Sequence, residues 1–183
     1  MPTTTDPATQ VVEAVVALSG GQTSEGSPGL DLQVASVLSW MRRYCGWHVW
    51  PVRAETLTVD GSGSATVHLP TLRLADVEAV TEAGSDVSGF SWSEAGMLRK
   101  RSGVWTREFR GVTATVEHGF DEAPELVGVL AKATIRELGS RTGQKLSRVG
   151  EIAYQNMPSS PGGAALFAGE YQVLDAYRLN QGI

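Results

Sequence analysis

A change of hydrophobic period narrows the fold more than any single motif. Between Trp47 and Gly119, β-rich runs (VRAETLTV, ATVHLP, DVEAVTEAG, WSEAGMLRKRSGVW and GVTATVEHG) are separated by turn clusters such as DGSGS. In the last run Val112, Ala114 and Val116 alternate with Thr113, Thr115 and Glu117, the period-two signature of a half-buried strand. Asp60-Gly61 is a tight-turn pair, and Gly63 tolerates a positive φ nearby. The block is therefore expected to form an antiparallel sheet of about five or six strands, closed as a small barrel or sandwich.

Helical patterns flank this block. From about Asp31 to Tyr44, Val34, Val37, Leu38, Met41 and Cys45 recur at spacings of three and four, Asp31 can cap, and Arg42 and Arg43 suit the last turn. Gly46 can close this helix. After Gly119, Asp121 can cap and Pro124 suits a first turn. Leu126, Val127, Leu130, Ala131, Ile135 and Leu138 then form a wide apolar stripe, with Gly139 expected to end it. A final helix is expected from about Leu166 to Leu179, after an extended stretch at VGEIAYQN and a loop at MPSSPGGAA. Toward the N-terminus, Gln10–Leu18 is a short helix candidate followed by a Gly-rich connector. The fold class is thus α+β: a small helical bundle with an antiparallel sheet or barrel insertion and a C-terminal arm. The expected division is a flexible leader over 1–29, a core over 30–144, and an arm and helix over 145–183.

The 183 residues suffice for a core without staples, since a chain of this size buries roughly 70% of its extended surface. Fifteen basic and 20 acidic residues leave a net charge of −5. That balance opposes a protein held to nucleic acid chiefly by phosphate neutralisation. One cysteine, Cys45, excludes an internal disulfide framework and a Cys-rich zinc site, and its place on an apolar helical face reads as a buried, inert thiol. The N-terminal segment has no basic n-region and carries Asp6 and Glu13, unlike a secretory signal. No stretch reaches the roughly 18 apolar residues of a spanning helix. Synthesis in a reducing cytoplasm, with no membrane partner, is the expectation.

Catalytic patterns are lacking. His48, His68 and His118 have no second ligand-type residue at metal-binding spacing, so no metal and no cofactor are expected. His68 reads as a solvated sheet-face residue. His118, near Asp121 and Glu122, is the best acid–base candidate of the three. Gly61-Ser62-Gly63-Ser64 lacks the Lys-Ser/Thr end of a phosphate loop and precedes a strand, as a hairpin turn does. No nucleophile elbow and no singled-out carboxylate pair appears. The chain does not read as an enzyme.

Two basic groups stand out: Arg99, Lys100 and Arg101, followed by Arg107 and Arg110, and the set Arg141, Lys145 and Arg148. In an acidic chain they read as solvated or interface residues, with contact to phosphate as the functional alternative. Five tryptophans are many for this length. Trp47 and Trp50 are expected to pack where helix gives way to sheet, while Trp92 or Trp105 are candidates for a sugar-stacking platform.

The segment ASVLSWMRRYCGWHVWPV, a helix ending in an aromatic-Cys-Gly-Trp run before the first strand, resembles the head-to-tail adaptor (connector) proteins of long-tailed bacteriophages. GVTATVEHGFDEAPELVGVLAKATIREL is similar to their strand, His-Gly-Phe turn, acidic-Pro step and long helix. RVGEIAYQN, a Pro/Gly/Ala loop and EYQVLDAYRL resemble their closing strand, loop and helix. The ordered set spans roughly Leu30 to Leu179.

The resemblance implies a structural virion protein of the neck, forming a homo-oligomeric ring (a dodecamer in the family) below the portal protein. It would present its lower face to a stopper or tail-completion protein. DNA would pass through its channel without specific binding, with Arg99, Lys100, Arg101, Arg141, Lys145 and Arg148 as candidate channel or interface groups. The last helix would be the portal contact, with Phe167, Tyr171, Leu174, Tyr177 and Arg178 as anchors and an arm that orders on docking. Replacing Tyr171 and Leu174 by Ala is then expected to abolish assembly and spare the fold. The alternatives are a stopper or tail-completion protein of the same machine and, from another class, a small β-rich carbohydrate-binding module or hydrolase.

Overall fold

The computed structural model describes residues 6–141 and 166–179. The fold is α+β, with four helices and seven strands among those residues. Two compact units divide the described chain, one holding residues 6–44, 123–141 and 166–176, the other 45–122 and 177–179.

The first unit is helical. Helix α1 spans Pro7–Leu18; Asp6 caps it by accepting the amide of Ala8 at 3.1 Å, and Pro7 supplies a preset φ at the first turn. Its Val11 and Val15 are fully buried, and α1 packs against α3 (Pro124–Arg141). The helix over Gln10–Leu18 therefore forms, and starts three residues earlier than the apolar arc alone indicates. Helix α2 spans Leu30–Cys45 and buries Leu30, Val34, Val37, Leu38, Met41 and Cys45 on the face read from their spacing. Gly46 follows it at φ 81°, a left-handed cap that residues with a Cβ rarely adopt.

Helix α3 does not stop at Gly139 but continues to Arg141. A glycine inside a helix costs about 1 kcal/mol relative to alanine, too little to end one that already buries Leu126, Leu130, Ala131 and Ala133. The one polar side chain buried in its middle, Thr134, is satisfied by donating to the Leu130 carbonyl at 2.8 Å. Helix α4 is Ala168–Asp175, shorter than the Leu166–Leu179 expected, and it packs on α3. The extended stretch and loop expected between α3 and α4 lie outside the described residues.

The second unit is the β-rich block. Its strands are β1 (Arg53–Val59), β2 (Thr66–His68), β3 (Leu74–Glu82), β4 (Ser85–Asp86), β5 (Phe90–Trp92), β6 (Met97–Lys100) and β7 (Val112–His118). All pairs are antiparallel, in two sheets ordered β1-β7-β3-β4 and β2-β6-β5. The count exceeds the five or six expected because β4 is a two-residue rung and β5 only three residues long. Both sheets contribute to one core: Val67 and Leu98 from the smaller, Leu74, Val80, Val112, Ala114 and Val116 from the larger, with Trp105 between strands. The alternation in β7 is the reason, since its even positions face this core while Thr113 and Thr115 face outward.

Candidate functional site

Around the last helix, the aromatic set read from the sequence is engaged within its own chain. Trp40 and Tyr44, four apart on α2, stack at 5.5 Å between centroids, and Tyr171 of α4 meets them at 6.2 and 5.6 Å. The Tyr44 hydroxyl donates to Asp175 Oδ1 at 2.5 Å. From α3, Arg136 reaches both oxygens of Glu170, and its guanidinium lies 4.6 Å from the centre of the Phe167 ring. Glu170 also accepts the amide of Phe167 at 2.9 Å, so one carboxylate holds α4 to α3 and closes its N-terminus.

The five residues expected as anchors therefore have different surroundings. Phe167 is 65% exposed and Arg178 is exposed, Tyr171 and Tyr177 are half-buried, and Leu174 is fully buried. Burial corrects the expectation that Leu174→Ala would spare the fold, because that change empties a packed site. In the second unit, Tyr177 packs edge-on against Phe120 at 5.3 Å and its carbonyl accepts from Trp47 Nε1 at 2.7 Å. The amide of Leu179 donates to the Cys45 carbonyl at 2.9 Å.

The basic residues do not form one patch. Lys100 is paired with Glu82 at 2.5 Å and lies over the Trp105 ring at 4.9 Å, whereas Arg99 and Arg101 are exposed. Period two explains the split within β6, where Lys100 points to the opposite side from Arg99. The side chain of Arg141, with Lys145 and Arg148, lies outside the described residues. Trp105 is 1% exposed, so it offers no face to a sugar, and Trp92 remains the more accessible of the two platform candidates.

The acid–base candidate, His118, is buried, with Nε2 at 3.0 Å from Glu55 Oε2. Burial pushes the Glu55 carboxyl up, but hydrogen bonds from Arg53 and His118 outweigh it and leave the group below the usual range. Among the described residues no three His, Cys, Asp or Glu side chains are placed to hold a metal ion. No helix there is long and apolar enough to cross a membrane.

What the sequence reading missed is the loop between β6 and β7. Phe109 there is 87% exposed, flanked by exposed Arg107 and Arg110. The loop is fixed from both sides. Glu82 of β3 accepts the Thr106 amide at 2.6 Å, and Asp60 accepts the Arg110 amide at 2.6 Å. Gly61 donates to the Glu108 carbonyl at 2.9 Å, and Gly63 donates to that of Thr106 at 3.0 Å. The Lys100 hydrogen bond holds the Glu82 carboxyl below its usual range, against burial, and the Thr106 amide adds to that effect.

No known family profile and no curated protein matches the chain. Solved structures do. A chain in the neck of an empty GTA particle, computed with C6 symmetry, aligns over 98% of this chain and 95% of its own at a TM-score of 0.62 and 13% identity. In the virion of a native gene transfer agent (GTA) particle, the figures are 99%, 95%, 0.62 and 14%. For the neck of a native GTA particle computed with C12 symmetry they are 98%, 94%, 0.57 and 14%. Over nearly its whole length, this chain shares the fold of those neck and virion chains.

Proposed function

We propose that this protein is a structural component of a virion neck, the head-to-tail adaptor that forms a ring between the portal and the stopper. The observation that carries this reading is the end-to-end likeness to chains of GTA necks and virions, at 95% coverage of the other chain and a TM-score of 0.62. The symmetry of those particles supports the ring, and the likeness of both units together supports a whole adaptor over an isolated β module. A subunit of this kind works by contact.

In this reading the chain is one copy of a homo-oligomeric ring continuing the DNA channel. Its acidic balance lets DNA pass, because phosphate is repelled from a surface of net charge −5 and not held by it. The portal contact lies at the α4 end, where Phe167 and Arg178 are exposed and Tyr171 is half-buried. Leu174 supports that surface from beneath.

The test is reconstitution. The purified protein is mixed with the portal protein of the same genome and imaged by electron microscopy. An added ring layer on the tail-facing side of the portal is the expected result. Folded protein that adds no layer overturns the adaptor role, and binding to a tail assembly instead would assign the chain to the stopper or tail-completion position.

A further inference from the structure

We infer that the β6–β7 loop, with Phe109 as its anchor and Arg107 and Arg110 beside it, docks on the acidic opposite end of the large sheet in a second copy of this chain. Phe109 is the most exposed large apolar side chain among the described residues. It is not held out by slackness. The four backbone hydrogen bonds above fix the loop, and Arg110 sits at φ 54°, a left-handed conformation a non-glycine residue keeps only when its surroundings impose it. A ring displayed on a preordered backbone loses little freedom on docking, and aromatic and arginine side chains are the usual anchors of protein interfaces.

The occupant follows from charge. β7 begins at Val112, beside this loop, and ends at His118. At that far end Glu117 of β7 lies opposite Asp76 of β3, and Glu78 is exposed beside them. Among the described residues none of these three carboxylates has an ion-pair partner. Ala54 pairs with Glu117 on the other side, leaving a low, uncrowded surface for a ring. Five residue steps along the strand separate Val112 from Glu117, about 17 Å at the rise of a β-strand. The exposed residues thus present an aromatic ring and two arginines at one end, with Glu108 and Asp60 among them, and three carboxylates at the other. Head to tail, opposite ends meet, which is the heterologous contact that closes rings. DNA is the weaker partner for this loop, because a chain of net charge −5 is repelled by phosphate as a whole.

This inference rests on the ring reading above. The test places photoreactive benzoylphenylalanine at position 109 in particles that carry the chain, and irradiates them. The expected product is a two-copy adduct whose second site lies in the peptides bearing Asp76 or Glu117. Arg107→Glu with Arg110→Glu is expected to lower incorporation at least tenfold, and adding Asp76→Lys and Glu117→Lys to restore it. An adduct with DNA, with another virion protein or elsewhere on this chain overturns the inference, as does no adduct in particles that contain the chain. Particles lacking the unmodified chain altogether overturn the neck reading itself.

Discussion

Arg136 grips Glu170 by two parallel hydrogen bonds, Nη1 to Oε1 at 2.9 Å and Nη2 to Oε2 at 2.7 Å. The pair is partly shielded from water, and it is the polar fastening between α3 and α4. Glu170→Ala removes both bonds and the acceptor for the Phe167 amide together. It is expected to destabilise α4 by about 1–3 kcal/mol, because two charge-assisted hydrogen bonds are lost in a partly buried place. Hydrogen exchange should rise over residues 168–175 and stay unchanged in β7.

Leu174 and Phe167 should behave oppositely although both lie in the same short segment. Leu174→Ala is expected to cost about 2–5 kcal/mol of unfolding free energy, the range for emptying a packed leucine site. Phe167→Ala should change stability by no more than about 1 kcal/mol, the worth of its contact with Arg136. Urea denaturation of the two variants measures this, and equal losses would contradict the burial described.

Acid should weaken the sheet unit through Glu82 and Glu55. Both carboxyls are lower in the folded protein than their ordinary value of 4.5. A depressed carboxylate stabilises the fold above its unfolded value, and that contribution is lost as pH falls from 4.5 through the folded value. Between pH 6 and pH 3, Glu82→Gln should show a shallower fall in Tm than the parent, because its neutral amide has no proton to gain. It should also start from a lower Tm at pH 6, having lost the Lys100 ion pair. Parallel curves would mean that Glu82 does not contribute to the acid limb.

Gly61 is required by space. A Cβ there would meet the carbonyl oxygen of Thr106 and come within 2.7 Å of the Thr106 methyl group. Gly61→Ala should therefore displace the 106–110 loop and cost about 1–3 kcal/mol, whereas Gly84→Ser, with open space but φ 80°, should cost only local strain. Protease sensitivity at Arg107 and Arg110, raised in the first variant and not in the second, reads this out.

The helical faces and β7 were legible because burial there follows one period without interruption. Val34, Val37, Leu38 and Met41 mark the inner side of α2 as clearly as Val112, Ala114 and Val116 mark that of β7. The end of α3 was less legible, since Gly139 is a local signal and the apolar stripe before it a longer one. The burial of Leu174 was hidden for a different reason. An apolar face on an eight-residue helix looks the same whether it packs on its own chain or on a partner, so Leu174 and Phe167 could not be told apart. Phe109 was missed because Arg-Glu-Phe-Arg-Gly reads as solvated loop. Its rigidity comes from Glu82 and Asp60, which lie 27 and 49 residues away in sequence.

The discontinuity of the helical unit also governs the order in which the protein can be completed. α1 ends at Leu18 and the helix it packs against begins at Pro124, with all seven strands encoded between them. At a synthesis rate of about 5–20 residues per second, Val11 and Val15 wait roughly 5–20 seconds for their partner. The sheet, whose strands all lie within residues 53–118, can close during that interval. The nascent chain thus carries paired strands and an apolar helix still awaiting its partner, which leaves α1 open to chaperones throughout that interval.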